Sequence, residues 1–345
     1  MKKLTLPYGK IIIGIENLSL SNEDKKRLIH PSVGGVILFA RNFESLQQLQ
    51  NLTNEIKSIR QPILPIMVDQ EGGRVQRFNH SGFTKLPSLY DIAQHGDIEL
   101  LKAHATILSY ELRTSGVDLS LTPSVDLYNP ESKVINNRAF SNSPQKVVNY
   151  AKTYIQSLKK VGLSAVIKHF PGHGSIVNDT HTELAINQSN YDELLQTDLY
   201  PFQALINSDV NISAIMASHV LYNQVDRNIP TFSKHWLKDI LRSQLKFKGL
   251  ILSDDMGMFA ANSQFNSTED AISKYFECGG DLTLLCNNFD VIDQILLSEK
   301  NYVLEENKQI LINNLCVNTQ SPSWLDKIKP KYLESKQSLA NKNLI

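Results

Sequence analysis

Residues 143–170, SPQKVVNYAKTYIQSLKKVGLSAVIKHF, hold one repeat unit of the fold. Ser143 before Pro144 reads as an N-cap followed by a first-turn proline. The amphipathic stretch after it predicts a helix that stops at Gly162. Ala165–Phe170 (AVIKHF) is then too short for a helix and reads as a buried strand. Its last residues, Lys168 and His169, are polar where the pattern calls for apolar side chains.

The same alternation extends in both directions. Apolar runs occur at Lys10–Ile15 (KIIIGI), Gly35–Ala40 (GVILFA), Ile63–Asp69 (ILPIMVD) and Leu119–Leu127 (LSLTPSVDL). After Ala165–Phe170 come Ile212–Val220 (ISAIMASHV), Gly249–Asp254 (GLILSD) and Asp281–Cys286 (DLTLLC), eight runs in all. Helical stretches between them open at Ser21, Asp97, Ser143, Asn190, Ser233 and Ser267. After Asn190 a single helix is expected through YDELLQTDLYPFQALI. After Ser233 a helix is expected through KHWLKDILRSQLK, stopping at Gly249. Eight strands separated by helices predict a (β/α)₈ TIM barrel in a single α/β domain, residues 1–317. A doubly wound open sheet is disfavoured, because no strand is followed by Gly-x-Gly-x-x-Gly. Residues 318–345 read as a polar, lysine-rich tail, solvated and only partly helical.

Composition narrows the function. The 35 basic and 35 acidic side chains cancel, so no net field attracts nucleic acid. The three cysteines, Cys278, Cys286 and Cys316, make neither a disulfide framework nor a Cys-x-x-Cys site. The short apolar run Ile11–Ile15 does not make a signal peptide, and no segment reaches the length of a membrane span. The expectation is a cytoplasmic monomer without metal or cofactor, acting on a small molecule.

The informative residues are charges at the C-terminal ends of the runs, where barrels carry their chemistry. The third run ends in VDQEGGRVQR, with Asp69 and Arg77 facing the mouth and Gly72-Gly73 permitting a sharp turn. Asp69 can accept hydrogen bonds from sugar hydroxyls, and Arg77 can hold a carboxylate or hydroxyl. Structural ion pairing explains both residues equally well. The fifth run ends in KHFPGHG. Its His169 and His173 have metal-like spacing, but Pro171, Gly172 and Gly174 forbid the helix that spacing needs. A structural pair between Lys168 and Asp69 is compatible with a role in ligand binding. Asp179-Thr180-His181 follows. A carboxylate there can fix the histidine tautomer and raise its basicity. Most such triplets are surface accidents. The seventh run ends in Ser253-Asp254-Asp255, and strand alternation allows only one of these acids to point along the barrel axis.

In this order VDQEGGRVQRF, KHFPGHG, DTH and SDD resemble the family 3 glycoside hydrolases, and KHFPGHG with DTH resembles their single-domain bacterial β-N-acetylglucosaminidase branch. The resemblance spans roughly residues 10–290. It implies Asp254 as catalytic nucleophile and His181 as acid/base, oriented by Asp179. It implies that Asp69, Arg77, Arg138, Lys168 and His169 hold the non-reducing sugar. Arg138 lies in NNRAF, where this chain has Asn137 in place of the family's usual acid, which puts the posture of Arg138 in question. Met256-Gly257-Met258 replaces Leu-Ser-Met. The implied activity is retaining release of terminal β-linked N-acetylglucosamine, from peptidoglycan fragments (muropeptides). Three other readings use the same residues. They are a phosphorylase, a metal-dependent hydrolase built on His169, His173, His219 and Asp254, and a non-catalytic sugar-binding protein.

Overall fold

The computed structural model describes residues 4–176, 184–316 and 322–345. Eight parallel strands close into one barrel. They are β1 (Ile11–Gly14), β2 (Val33–Leu38), β3 (Ile66–Val68), β4 (Leu119–Ser120), β5 (Ser164–Phe170), β6 (Ala214–Ala217), β7 (Leu250–Asp255) and β8 (Leu282–Leu285). Each pairs with its sequence neighbours, and β8 closes on β1 through Ile11↔Thr283, Ile12↔Leu284 and Ile13↔Leu285. All eight predicted runs are barrel strands, and helices cover the outside.

β1, β3, β4, β6 and β8 are shorter than their runs. The regular ladder of the fourth run covers Leu119–Ser120 and is interrupted at Pro123, which lacks the N–H a ladder needs, before an isolated bridge from Ser124 to Lys168. Irregular register falls between Ile167 and Phe170 on β5, and between Leu252 and Asp255 on β7. Both irregularities lie at the mouth of the barrel.

The predicted caps at Ser21, Asp97, Ser143, Asn190 and Ser267 each accept a backbone N–H in the first turn of their helix. The expected helix after Asn190 is two helices, Tyr191–Gln196 and Tyr200–Ile206. Thr197 leaves helical geometry between them at ψ −104°, and Pro201 opens the second. The helix after Ser233 runs His235–Gln244 and ends well before Gly249. Its last turn is wide, with Leu245 N–H bonding Ile240 C=O at 2.8 Å, and Lys246 at φ 61° turns the chain away.

The lysine-rich end is more ordered than expected. Pro322–Ala340 is a helix docked on the Ile98–Thr114 helix. Tyr332 stacks on Tyr110 and donates to Glu111 at 3.0 Å, while Leu339 is fully buried. A few apolar anchors hold this helix on the barrel while its lysines face water.

His104 on the Ile98–Thr114 helix is fully buried between Tyr154 Oη (2.9 Å from Nδ1) and the Pro87 carbonyl (3.1 Å from Nε2). Burial pulls its pKa down to about 4, against the opposing pull of that carbonyl. The unfolded chain protonates near pH 6.5. The contribution of His104 to stability is therefore complete above pH 6.5 and is lost as pH falls toward 4, about 3 kcal/mol in all. His173, also pulled down to about 4, adds to the same slope. His104→Gln is expected to flatten the fall in melting temperature between pH 7 and 4.5. An unchanged acid slope would refute the assignment.

Candidate active site

The C-terminal ends of β3, β5 and β7 converge on a cavity of about 350 Å³. Asp69, Arg77, Arg138, Lys168, His169 and Asp254 all line it. The structure thus gathers every sequence-assigned ligand-binding residue and the assigned nucleophile. Asp179 and His181 lie outside the described residues.

The turn after β3 creates one wall. Gln70–Gly72 pairs antiparallel with Val75–Gln76, and the connecting Gly72 and Gly73 sit at φ +97° and +58°. A Cβ on Gly72 would lie 2.3 Å from the Pro87 carbonyl oxygen, so only glycine serves there. This turn brings Asp69 and Glu71 to one point. Lys168 Nζ bridges them, 2.8 Å from Asp69 Oδ1 and 2.6 Å from Glu71 Oε1. Arg77 approaches the other Asp69 oxygen at 3.7 Å. The pairing expected between Lys168 and Asp69 therefore exists, and Asp69 still borders the cavity.

Glu71 is fully buried and was not singled out from the sequence. Arg138 grips it with two bonds, Nε to Oε2 at 3.0 Å and Nη2 to Oε1 at 2.8 Å. Burial would raise the Glu71 pKa, but Arg138 and Lys168 together hold it well below the carboxylate range. The acid missing at position 137 leaves Arg138 firmly placed, because Glu71 in the turn after β3 holds it. Arg138 Nη2 also lies 3.4 Å from His169 Nε2.

Asp126, at the end of the fourth run, is the second unforeseen member. It is fully buried and accepts from His169 Nδ1 at 2.7 Å, from the His173 amide at 2.7 Å and from Ser124 Oγ at 2.8 Å. Burial acts to raise its pKa, and His169 outweighs that effect and lowers it. The bond to Asp126 makes Nδ1 of His169 the donor and aims Nε2 at the cavity. His169 and His219 are thus engaged by Asp126 and by Thr231 (2.9 Å).

Asp254 and Asp255 share the end of β7. Simple alternation would send them apart, yet both border the cavity, because the register slips between Leu252 and Asp255. Their environments differ. Burial pushes Asp254 up, but His169, His219, the Asp255 amide and Lys168 bring its pKa down to about 2. Asp255 is raised, first by burial and then by Asp254, despite bonds from the Gly257 and Cys286 amides. Asp254 is held ionised by its surroundings, and Asp255 is fixed by backbone.

Buried strand ends carrying an ionised carboxylate beside fixed cations define a TIM-barrel enzyme with a small polar-ligand site. The family profile described as the glycosyl hydrolase family 3 N-terminal domain matches residues 5–310. The chain belongs to glycosyl hydrolase family 3. It is 44% identical over 296 residues to a β-hexosaminidase of Nitrosomonas eutropha, covering 84% of each chain. The crystal structure of native NagZ from Neisseria gonorrhoeae superposes with a TM-score of 0.90 at 34% identity, over 98% of both chains. The same protein in complex with N-trifluoroacetyl-D-glucosamine matches at 0.91, covering 98% of this chain and 99% of that one.

Proposed function

We propose that this chain is a retaining β-N-acetylhexosaminidase that releases terminal β-linked N-acetylglucosamine. One observation carries the reading. Asp254, ionised at neutral pH, borders a cavity sized for about one sugar ring, whose other walls present Asp69, Lys168, Arg138 and His169. Asp254 attacks the anomeric carbon and forms a glycosyl-enzyme. His181, oriented by Asp179, protonates the leaving oxygen and then deprotonates water. Asp69, with Lys168 and Arg77 against it, accepts hydroxyl protons of the non-reducing sugar. Arg138 donates to the same ring, and His169 Nε2 faces it.

The relatives named β-hexosaminidase and the NagZ complex with an N-acylated glucosamine support the hexosamine specificity. We read the natural substrate as a muropeptide and the setting as the cytoplasm, with the enzyme acting as a monomer. Three buried free thiols fit a reducing compartment. Among the described residues, no helix is long and apolar enough to cross a membrane.

The test is to trap the enzyme with a slow 5-fluoro-N-acetylglucosaminyl donor and map the labelled peptide. Label on Asp254 is the expected result, and label on Asp255 or none at all overturns the mechanism. Product analysis in phosphate buffer separates the hydrolase from a phosphorylase, because a phosphorylase forms the sugar 1-phosphate. Loss of turnover on chelation would revive the metal-dependent reading.

A further inference from the structure

We propose that His219 is a positioning residue held as the imidazolium, whose charge and hydrogen bond to the Asp255 carbonyl set the Asp254 carboxylate for attack. The proposal rests on Asp254 being the nucleophile.

The inference comes from counting protons. His219 follows β6 and is buried. Its Nδ1 lies 2.9 Å from Thr231 Oγ1. That hydroxyl donates its proton to the Ser218 carbonyl at 2.9 Å. A hydroxyl has one proton to give, so Thr231 presents only lone pairs to His219, and Nδ1 must carry a hydrogen. On the other side, Nε2 lies 3.3 Å from the Asp255 carbonyl oxygen. A carbonyl is also only an acceptor. The contact is attractive when Nε2 carries a hydrogen too, and repulsive when it holds a lone pair. Acceptors on both sides select the doubly protonated ring.

A buried cation needs counter-charge, and Asp254, on which His219 acts electrostatically, is one source of it. Several titratable or charged groups surround the pair. Lys168 and His169 come from β5, Asp254 and Asp255 from β7, Asp69 from the loop after β3, and Cys286 follows β8. The Phe232 ring lies nearly parallel to His219 at 6.5 Å between centroids. His219 contributes to the lowered pKa of Asp254, after burial and His169. Its bond to the Asp255 carbonyl also pins the Asp255–Met256 peptide, one residue beyond the nucleophile. As an imidazolium it cannot be a metal ligand.

Two measurements test the proposal. The first is long-range ¹H–¹⁵N NMR of the wild-type enzyme at pH 7, with His219 assigned through its contact to the Phe232 ring. Two protonated ring nitrogens are expected, and a neutral tautomer overturns the proposal. The second is the burst rate of glycosyl-enzyme formation from a 2,4-dinitrophenyl donor, whose leaving group needs no acid. The wild type is expected to show an alkaline limb as His219 loses its proton. H219Q should abolish that limb and lower the burst rate about 100-fold, with KM little changed. T231V keeps the shape but removes the acceptor, so it should shift the limb to lower pH. Unchanged profiles in both folded variants overturn the proposal. If D254N kept normal turnover, the nucleophile assignment itself would fail, a result independent of the His219 NMR.

Discussion

Asp254→Asn is expected to lower turnover by at least about 10⁴-fold on every substrate, natural or aryl. The change preserves shape and removes only the charge. An amide does not attack the anomeric carbon usefully, so no glycosyl-enzyme accumulates and leaving-group quality becomes irrelevant. The surroundings of the carboxylate make the loss specific. His169, His219 and Lys168 hold the carboxylate at a pKa of about 2, which keeps it ionised across the whole working pH range. The variant should remain folded, with Asp126 still on His169 and Glu71 still on Arg138. Azide added to the variant should restore cleavage of activated aryl glycosides and yield the α-glycosyl azide. Retention of more than about 1% of wild-type turnover without azide would remove Asp254 from the role.

His181→Ala separates substrates instead of silencing all of them. An acid/base group contributes about 10²–10⁴-fold where the leaving oxygen needs a proton. Natural glycosides should therefore lose about 10³-fold in kcat/KM. A dinitrophenyl glycoside leaves as a stable anion, so its glycosylation step should change only a few-fold. Its deglycosylation step still needs a base, so the glycosyl-enzyme should accumulate and kcat should fall while the burst persists. Asp179→Ala should follow the same pattern more weakly, because it removes only the orienting partner. Equal losses on both substrate types would exclude His181 as the acid.

Much of the site was legible because residue type and strand position coincide in a barrel. Asp69, Lys168, His169 and Asp254 break apolar runs at the end that faces the mouth, and the fold leaves them one place to go. Glu71 and Asp126 stood at equivalent positions, in VDQEGG and SVDL, and the same rule could have found them. A buried carboxylate, however, shows its role only through its partners. Those partners are distant in sequence, with Arg138 lying 67 residues from Glu71 and His169 lying 43 from Asp126.

The order of apolar runs, capping serines and helix-stopping glycines by itself determined a closed eight-stranded barrel, because parallel buried strands separated by helices have few other ways to hide their faces. It also determined which residue types reach the mouth. The tertiary structure alone decided how they are paired. Register slips at the ends of β5 and β7 bring Lys168 and His169, and Asp254 and Asp255, to one cavity. Strict alternation would have split each pair across the strand. Groups from neighbouring strands then set the two adjacent acids apart, lowering the pKa of Asp254 and, together with burial, raising that of Asp255. That difference depends on groups brought in from other strands, which no local pattern encodes.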